Sequence, residues 1–182
     1  MPQTEPLRLR ILDALAVVLA GITVAGGYRH DLNAMQTIAK GTQDERLAHK
    51  HVFVGRALFG DDDPDLAITI LEVPIPIDQA AVPPDSPYSK GEWALLVQGF
   101  VPDDLHRPTR PAHVLMADVK KRLAIEKLRN ADFELFGMGD HVINMRVGPG
   151  VVRPPDEISA RAYFWLDVSL QIVEDLSNPY ED

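Results

Sequence analysis

The stretch Ala162-Tyr163-Phe164-Trp165-Leu166-Asp167-Val168-Ser169-Leu170-Gln171-Ile172 alternates without a break. Ala162, Phe164, Leu166, Val168, Leu170 and Ile172 share one parity; Tyr163, Trp165, Asp167, Ser169 and Gln171 share the other. A period of two belongs to extended backbone, where successive side chains point to opposite faces. The first set has no polar member and needs a dry layer against it. The second mixes aromatic and polar groups. The run therefore predicts a long strand in a sheet with one face packed on a core and one differently composed.

Upstream, Val142 to Val147 predicts another strand after a break at Gly137 and Gly139, and a Gly148-Pro149-Gly150 turn leads through Arg153-Pro154-Pro155-Asp156 into the long one. Before these lies a helix, with Thr109 as its cap, Pro111 in its first turn and Leu115, Val119 and Leu123 as its buried stripe. Trp93 to Val101 alternates as a strand. Val52 to Leu58 and Leu66 to Val73 predict two more, joined as a hairpin by the acidic turn Asp61-Asp62-Asp63-Pro64. The second and third strands form a hairpin with a long proline-rich loop. At the start of the chain, Leu7, Ile11, Leu15, Leu19 and Ile22 recur at helical spacing, with Thr4 as N-cap and Gly21 or Gly26 as the stop. Two helices need an apolar surface to cover, and one sheet face offers it. The expected fold is α+β, a two-layer sandwich: a mixed, mainly antiparallel sheet of about five strands with two main helices on one face. Residues 1–182 are expected to form a single domain with long irregular segments at 26–50 and 74–91.

Composition sets limits on partners. Apolar residues make up 46% and charged residues 25%, a globular profile. With no cysteine, disulfides, thiolate metal sites and a Cys nucleophile are excluded, and folding inside the cell is expected. A net charge of −9 argues against a general nucleic-acid binder, whose affinity rests on neutralising phosphates. Arg8 and Arg10 before the apolar run Ile11 to Ala20 mimic a secretory leader, but Asp13 interrupts the run. No run reaches the ~18 apolar residues of a membrane span.

The chemical candidates each meet a plainer account. Asp61, Asp63, Asp65 and Glu72 fall at calcium-loop spacing, yet Leu66 stands where the loop needs Gly, and strands flank it; a solvated acidic turn is expected. His49 and His51 lack a third ligand and read as solvent-exposed histidines at a strand entrance. His106 and His113 with Arg107 and Arg110 surround a helix start where phosphate could bind. Asp103 and Asp104 sit beside it and would repel an anion, and no Gly-rich loop is present. No G-x-S-x-G elbow occurs, and the pairs Asp156-Glu157 and Glu174-Asp175 have no spacing that makes them share a proton. Neither a catalytic residue, a metal site nor a cofactor is expected. A small enzyme with a site scattered along the chain is the alternative of a different class.

What is left points to contact with other molecules. The segment 74–91 carries Ile75, Ile77 and Tyr88, more apolar than a tether needs. Tyr163 and Trp165 lie on the sheet face away from the expected helices, and an uncovered apolar patch marks an interface.

The run Gly148-Pro149-Gly150-Val151-Val152-Arg153-Pro154-Pro155-Asp156-Glu157, with Ser159-Ala160 and Tyr163-Phe164-Trp165-Leu166, resembles the C-terminal part of tail terminator (tail completion) proteins of long-tailed bacteriophages. Gln98-Gly99-Phe100-Val101 with Asp103-Asp104, Pro111-Ala112-His113, Leu115-Met116-Ala117-Asp118-Val119, and Val54-Gly55-Arg56 before the acidic turn are similar too. The likeness follows chain order, apart from the insert before His51. It implies a structural virion protein that forms a homo-oligomeric ring, commonly a hexamer, at the head-proximal end of the tail tube. Such a ring stops polymerisation of the major tail tube protein and docks head-completion, stopper or other neck proteins. The protein would reside in the virion, after assembly in the host cytoplasm. Another neck component, a head–tail connector or stopper, is the near alternative.

A negatively charged ring would let DNA pass its lumen without sticking, with Asp61, Asp62, Asp63, Asp103 and Asp104 as candidate lining. Closure of a ring requires two different complementary patches. Tyr163, Trp165 and Tyr88 are candidates for apolar contact. Arg56, Arg146, Arg153 and Arg161 are candidates for pairing with Asp156, Glu157 or Asp167 of a neighbouring subunit.

Overall fold

The elements run α1 (Leu7–Ala20), β1 (Val52–Val54), β2 (Ala67–Glu72), β3 (Tyr88–Val101), α2 (Arg110–Leu128), three short 3-10 turns between Arg129 and His141, β4 (Val142–Val147), β5 (Val151–Arg153) and β6 (Ala162–Asp175). The computed structural model describes residues 5–33, 51–59, 63–74, 85–132 and 134–180. The fold is α+β: one mixed, mostly antiparallel sheet with order β1-β2-β3-β6-β4, β5 also pairing with β6, and both helices packed on one face.

The two long strands form the spine. β3 and β6 pair antiparallel from Tyr88↔Asp175 to Val101↔Ala162. Leu95, Val97, Phe164, Leu166, Val168 and Leu170 share the parity that faces the helices, and all are fully or almost fully buried. Ile68 and Ile70 of β2 extend this dry face, met by Ile11, Leu15 and Leu19 from α1 and Leu115, Val119 and Leu123 from α2. Gly99 lies opposite Phe164, and a Cβ on it would come within 2.1 Å of the ring. The bare backbone at Gly99 is the space the ring occupies.

Polar groups join the helices to each other and to the loops. Arg122 Nε donates to Val18 O (2.8 Å), adding a second donor to a carbonyl in the last turn of α1 that also accepts from Gly21 N (3.1 Å). Asp118 of α2 is buried and accepts from Arg29 N, His30 N and His30 Nδ1 at 2.8–3.1 Å. It ties the loop after α1 to α2 and seats Tyr28 and Leu32 in the core. Buried Glu126 accepts from Phe136 N (2.9 Å), holding a residue whose φ of 56° is left-handed.

Several local expectations are corrected. β1 ends at Val54, and it pairs with β2 in parallel, not as a hairpin. The crossover connection from β1 to β2 has the length that parallel strands require, and Phe59 within it packs on the sheet's second face between Phe53 and Phe100. That ring needs a dry surface, which a solvated hairpin turn would not give. His51 is buried, not solvent-exposed: its Nδ1 lies 2.6 Å from Leu66 O beside the start of β2. Tyr88 to Gly91, expected to be irregular, belong to β3; residues 75–84, with Ile75 and Ile77, lie outside the described residues. Of the segment 26–50, residues 26–33 pack against α2 and the remainder, His49 included, lies outside the described residues.

The Gly148-Pro149-Gly150 turn does not reverse the chain. β4 and β5 run in the same direction along one edge of β6, from Val142↔Ile172 to Arg153↔Tyr163, which brings the sheet of about five strands to six. Between Val147↔Val168 and Val151↔Trp165 the edge has one residue more than β6, which makes the turn a bulge. Gly150 has φ 71°, and a Cβ there would come within 2.7 Å of Met116 Sδ on α2. Thr109 flanks α2 without a side-chain capping bond, Pro6 flanks α1, and Thr4 lies outside the described residues.

Gly99→Ala is expected to cost about 2–3 kcal/mol by overpacking against Phe164. Combining it with Phe164→Leu should recover part of that loss, so the two changes are non-additive in urea unfolding.

Candidate functional site

The parity that faces away from the helices divides into two regions. One is polar: Glu92, Arg146, Ser169 and Gln171 lie there, with Arg146 paired to Glu92 (2.9 Å) and Ser169 Oγ donating to Glu92 Oε2. The other is aromatic. Phe53, Phe59, Phe100, Tyr163 and Trp165 form a continuous row with ring centroids 5.0–6.0 Å apart, edge-on at Phe53–Phe59, stacked at Phe100–Tyr163 and tilted at the other two contacts. Strand pairing builds this row, since Phe100 lies opposite Tyr163 and Gln98 opposite Trp165. The crossover adds Phe59, and Arg56 lies over Phe53 and Phe59 at 5.0 and 5.1 Å.

A strap, residues 154–161 between β5 and β6, closes over part of the row. Tyr163 OH donates to Asp156 Oδ2 (2.7 Å), and Asp156 Oδ1 accepts from Ile158 N. The Tyr163 hydrogen bond, followed by the strap's own N–H groups and Arg153, holds the Asp156 carboxyl below its ordinary pKa. Burial, then the neighbouring carboxylate, pushes the Tyr163 phenol up. Arg161 ties the strap to the crossover by donating to Pro64 O and Asp63 O, with Asp65 3.5 Å away.

Between strap, crossover and sheet lies a cavity of about 210 Å³, bounded by Phe59, Phe100, Ile158, Arg161 and Trp165. Among the described residues its lining has no carboxylate and no imidazole; Gln98, Ser159 and Arg161 bring polar side chains. The Trp165 indole N–H is buried and has no hydrogen-bond partner among the described residues. In its lining Leu58 and Ile158 are 84% and 67% exposed, and Val151, opposite Trp165 on β5, is 56% exposed. Such a surface is suited to holding apolar groups of another molecule.

The chain matches no protein-family model, and no curated protein matches it.

The residues expected at an interface are thus divided. Trp165 is half-buried at the cavity, whereas Tyr163 is wholly buried under the strap. Tyr88 is 49% exposed at the far end of β3 from them. The arginines have partners within the chain: Arg56 with Asp63, Arg146 with Glu92, Arg153 with Asp156, and Arg161 with Asp65. Glu157 is exposed on the strap. Of the acidic candidates, Asp61 and Asp62 lie outside the described residues, and Asp63 is held by Arg56. Asp103 is exposed beyond β3. Asp104 is turned inward on its own loop, accepting from His106 N and Arg107 N, bonds that lower its pKa.

Among the described residues no cluster of His, Asp and Glu is arranged to hold a metal ion. Asp63 and Asp65 engage Arg56 and Arg161, while Glu72, at the far end of β2, accepts from Trp93 Nε1. Sequence reasoning missed Phe53, Phe59 and Phe100 as parts of one surface. The parity of β3 was a signal for Phe100; Phe59 had none, because its place depends on the crossover.

The Asp156–Tyr163 latch has a definite pH sign. A carboxyl with a depressed pKa in the folded chain contributes stability above its unfolded value, lost as pH falls through the lower folded value. The tyrosine, raised in the folded chain, loses its contribution as pH climbs above the ordinary phenol range. Hydrogen-exchange protection of the Ile158 and Arg161 amides should persist across neutral pH and fall below the usual carboxylate range. Tyr163→Phe should lower that protection at neutral pH while leaving β3 and α2 amides unchanged.

Proposed function

We propose that the chain is a structural virion protein of the tail terminator type. It forms a homo-oligomeric ring at the head-proximal end of a phage tail tube, stops growth of the tube and offers a docking surface to neck proteins. The observation that carries this reading is the second sheet face. It bears an aromatic row that no helix covers among the described residues, with Trp165 at an open cavity lined by exposed Leu58 and Ile158. Exposed apolar side chains gathered around a cavity are an anchor site for a partner. The sequence resemblance supplies the type of assembly; the open face supplies a surface able to make it.

The net charge of −9 suits a ring whose lumen DNA traverses without being held. Among the described residues no helix is long and apolar enough to cross a membrane, which fits a place within a virion.

Adding purified protein to growing tail tubes tests the function. Tubes of limited length with an extra ring at one end are expected under electron microscopy; binding to portal-bound connectors with no capping of tubes would assign the chain to another part of the neck. Trp165→Ala should weaken ring formation, read by sedimentation, more than it lowers the melting temperature. An intact ring with a lowered melting temperature would make Trp165 a core residue instead.

A further inference from the structure

α2 carries Arg110, Lys120, Lys121, Arg122 and Lys127 against two carboxylates, in a chain whose net charge is −9. Both carboxylates, Asp118 and Glu126, are buried. Lys120, Lys121 and Arg122 donate to the backbone carbonyls of Pro149, Gly27 and Val18, which anchor the side chains without neutralising them. Lys127 makes no hydrogen bond or ion pair among the described residues. At about 3.6 residues per turn, Ala117, Lys121, Ala124 and Leu128 run down the outward side of the helix. Ile125 lies along one margin of that stripe, Lys120 and Lys127 along the other. Leu128 is 77% exposed, more than any other large apolar residue of either helix.

The other side of the molecule has complementary features. The cavity at Trp165, about 210 Å³, exceeds the roughly 150 Å³ that holds a benzene ring, so an aliphatic side chain has room in it. Around it the arginines are already paired: Arg56 with Asp63, Arg153 with Asp156 and Arg161 with Asp65. Asp167, two residues beyond Trp165 on the same face, and Glu157, beside Ile158 on the strap, are exposed. Neither carboxylate has a side-chain partner among the described residues. The charge left over beside the cavity is therefore negative, and on α2 it is positive. We infer that the outward side of α2 in one subunit docks on the uncovered sheet face of a second copy. Leu128 enters the cavity beside Trp165 and Ile158, while Lys127, with Lys120 and Lys121 near it, faces Asp167 and Glu157. A charged rim around an apolar anchor fixes the register of two partners. The two patches differ and lie on opposite layers, so the contact is head-to-tail, the kind that closes a ring. A nucleic acid is a poorer match for these lysines, because the field of the whole molecule opposes its approach. The choice of a second copy rests on the self-associating part of the proposed function.

The chain has no cysteine, so introduced thiols report the contact directly. Leu128→Cys/Ile158→Cys puts two exposed thiols on opposite layers of the sheet, where no disulfide can join them within one chain. Mild oxidation of the full-length protein should give a ladder of cross-linked subunits on a non-reducing gel, ending at the ring size. Leu128→Cys/Leu105→Cys, with the second thiol on a loop away from the cavity, should cross-link at least about tenfold more slowly. In sedimentation Leu128→Glu should weaken association about thirtyfold or more. Lys127→Glu should weaken it about threefold, and adding Asp167→Lys to the same chain should restore it. These residues are exposed, so unchanged melting curves are expected and separate lost association from lost folding.

Rings that persist in Leu128→Glu, or that cross-link through Leu128→Cys/Ile158→Cys no faster than the control, overturn the inference and leave the ring reading standing. A ladder that stops at a doubly linked dimer sustains the contact and removes the ring. A wild-type chain that stays monomeric at high concentration and gives no ladder removes both. Salt-sensitive DNA retention that Lys127→Glu abolishes, without cross-linking between copies, would replace the second copy with nucleic acid.

Discussion

The pairing of β3 with β6 fixes where everything else can go. Fourteen consecutive residues on each strand are held in one register, from Tyr88↔Asp175 to Val101↔Ala162. A slip of one residue would exchange the two faces of both strands, bringing Tyr163, Asp167 and Gln171 against the helices and sending Phe164, Leu166 and Val168 to the other side. The dry parity therefore specifies the register, and the Gly99–Phe164 contact marks it with a ring seated over bare backbone. β2 adds to one side of the pair, and β4 and β5 to the other. The aromatic row follows as a consequence, because Phe100 and Tyr163 are opposite each other only in this register.

What could be read from the sequence followed the same division. β6, β4, α2 and α1 declare themselves by period alone, and their burial matches the expected stripes. The direction of β1 was not legible. Whether Val52–Val54 meets Ile68–Ile70 in parallel or antiparallel depends on where Phe59 finds a dry surface, and that surface is made by β3 and β6, distant in sequence. His51 misled for a related reason, since a histidine beside Lys50 gives no hint that Leu66 O waits next to its Nδ1. Gly148-Pro149-Gly150 has the residues of a reversing turn but forms a bulge, because β6 is long enough to pair with strands on both sides of it.

The candidate surface was half visible. Trp165 stood out by parity, and Tyr163 shares that parity, but the strap that buries Tyr163 comes from a proline-containing segment with no period. The surroundings of the α2 start were legible only in part. Arg107 and Arg110 follow Asp103 and Asp104, and the Asp104 carboxylate accepts from Arg107 N and His106 N of its own loop while the two arginine charges also act on it. Arg29 lies far away in sequence, in a segment that reads as polar coil. One buried carboxylate, Asp118, fixes that coil against α2. Polar residues that organise loops rather than catalyse have no spacing rule, and sequence pattern does not reach them.

The bulge at Gly148-Pro149-Gly150 also determines how this sheet can and cannot grow. A sheet edge is a template: a row of free N–H and C=O groups on which another strand can add, then another. On the β4–β5 edge that row is broken in the middle, and Pro149 has no N–H to offer. On the opposite edge β1 is only three residues long. Neither side gives a continuous ladder, so open-ended stacking of copies edge to edge is disfavoured. Contacts with other chains are left to the faces and loops, where geometry can set a finite number of partners.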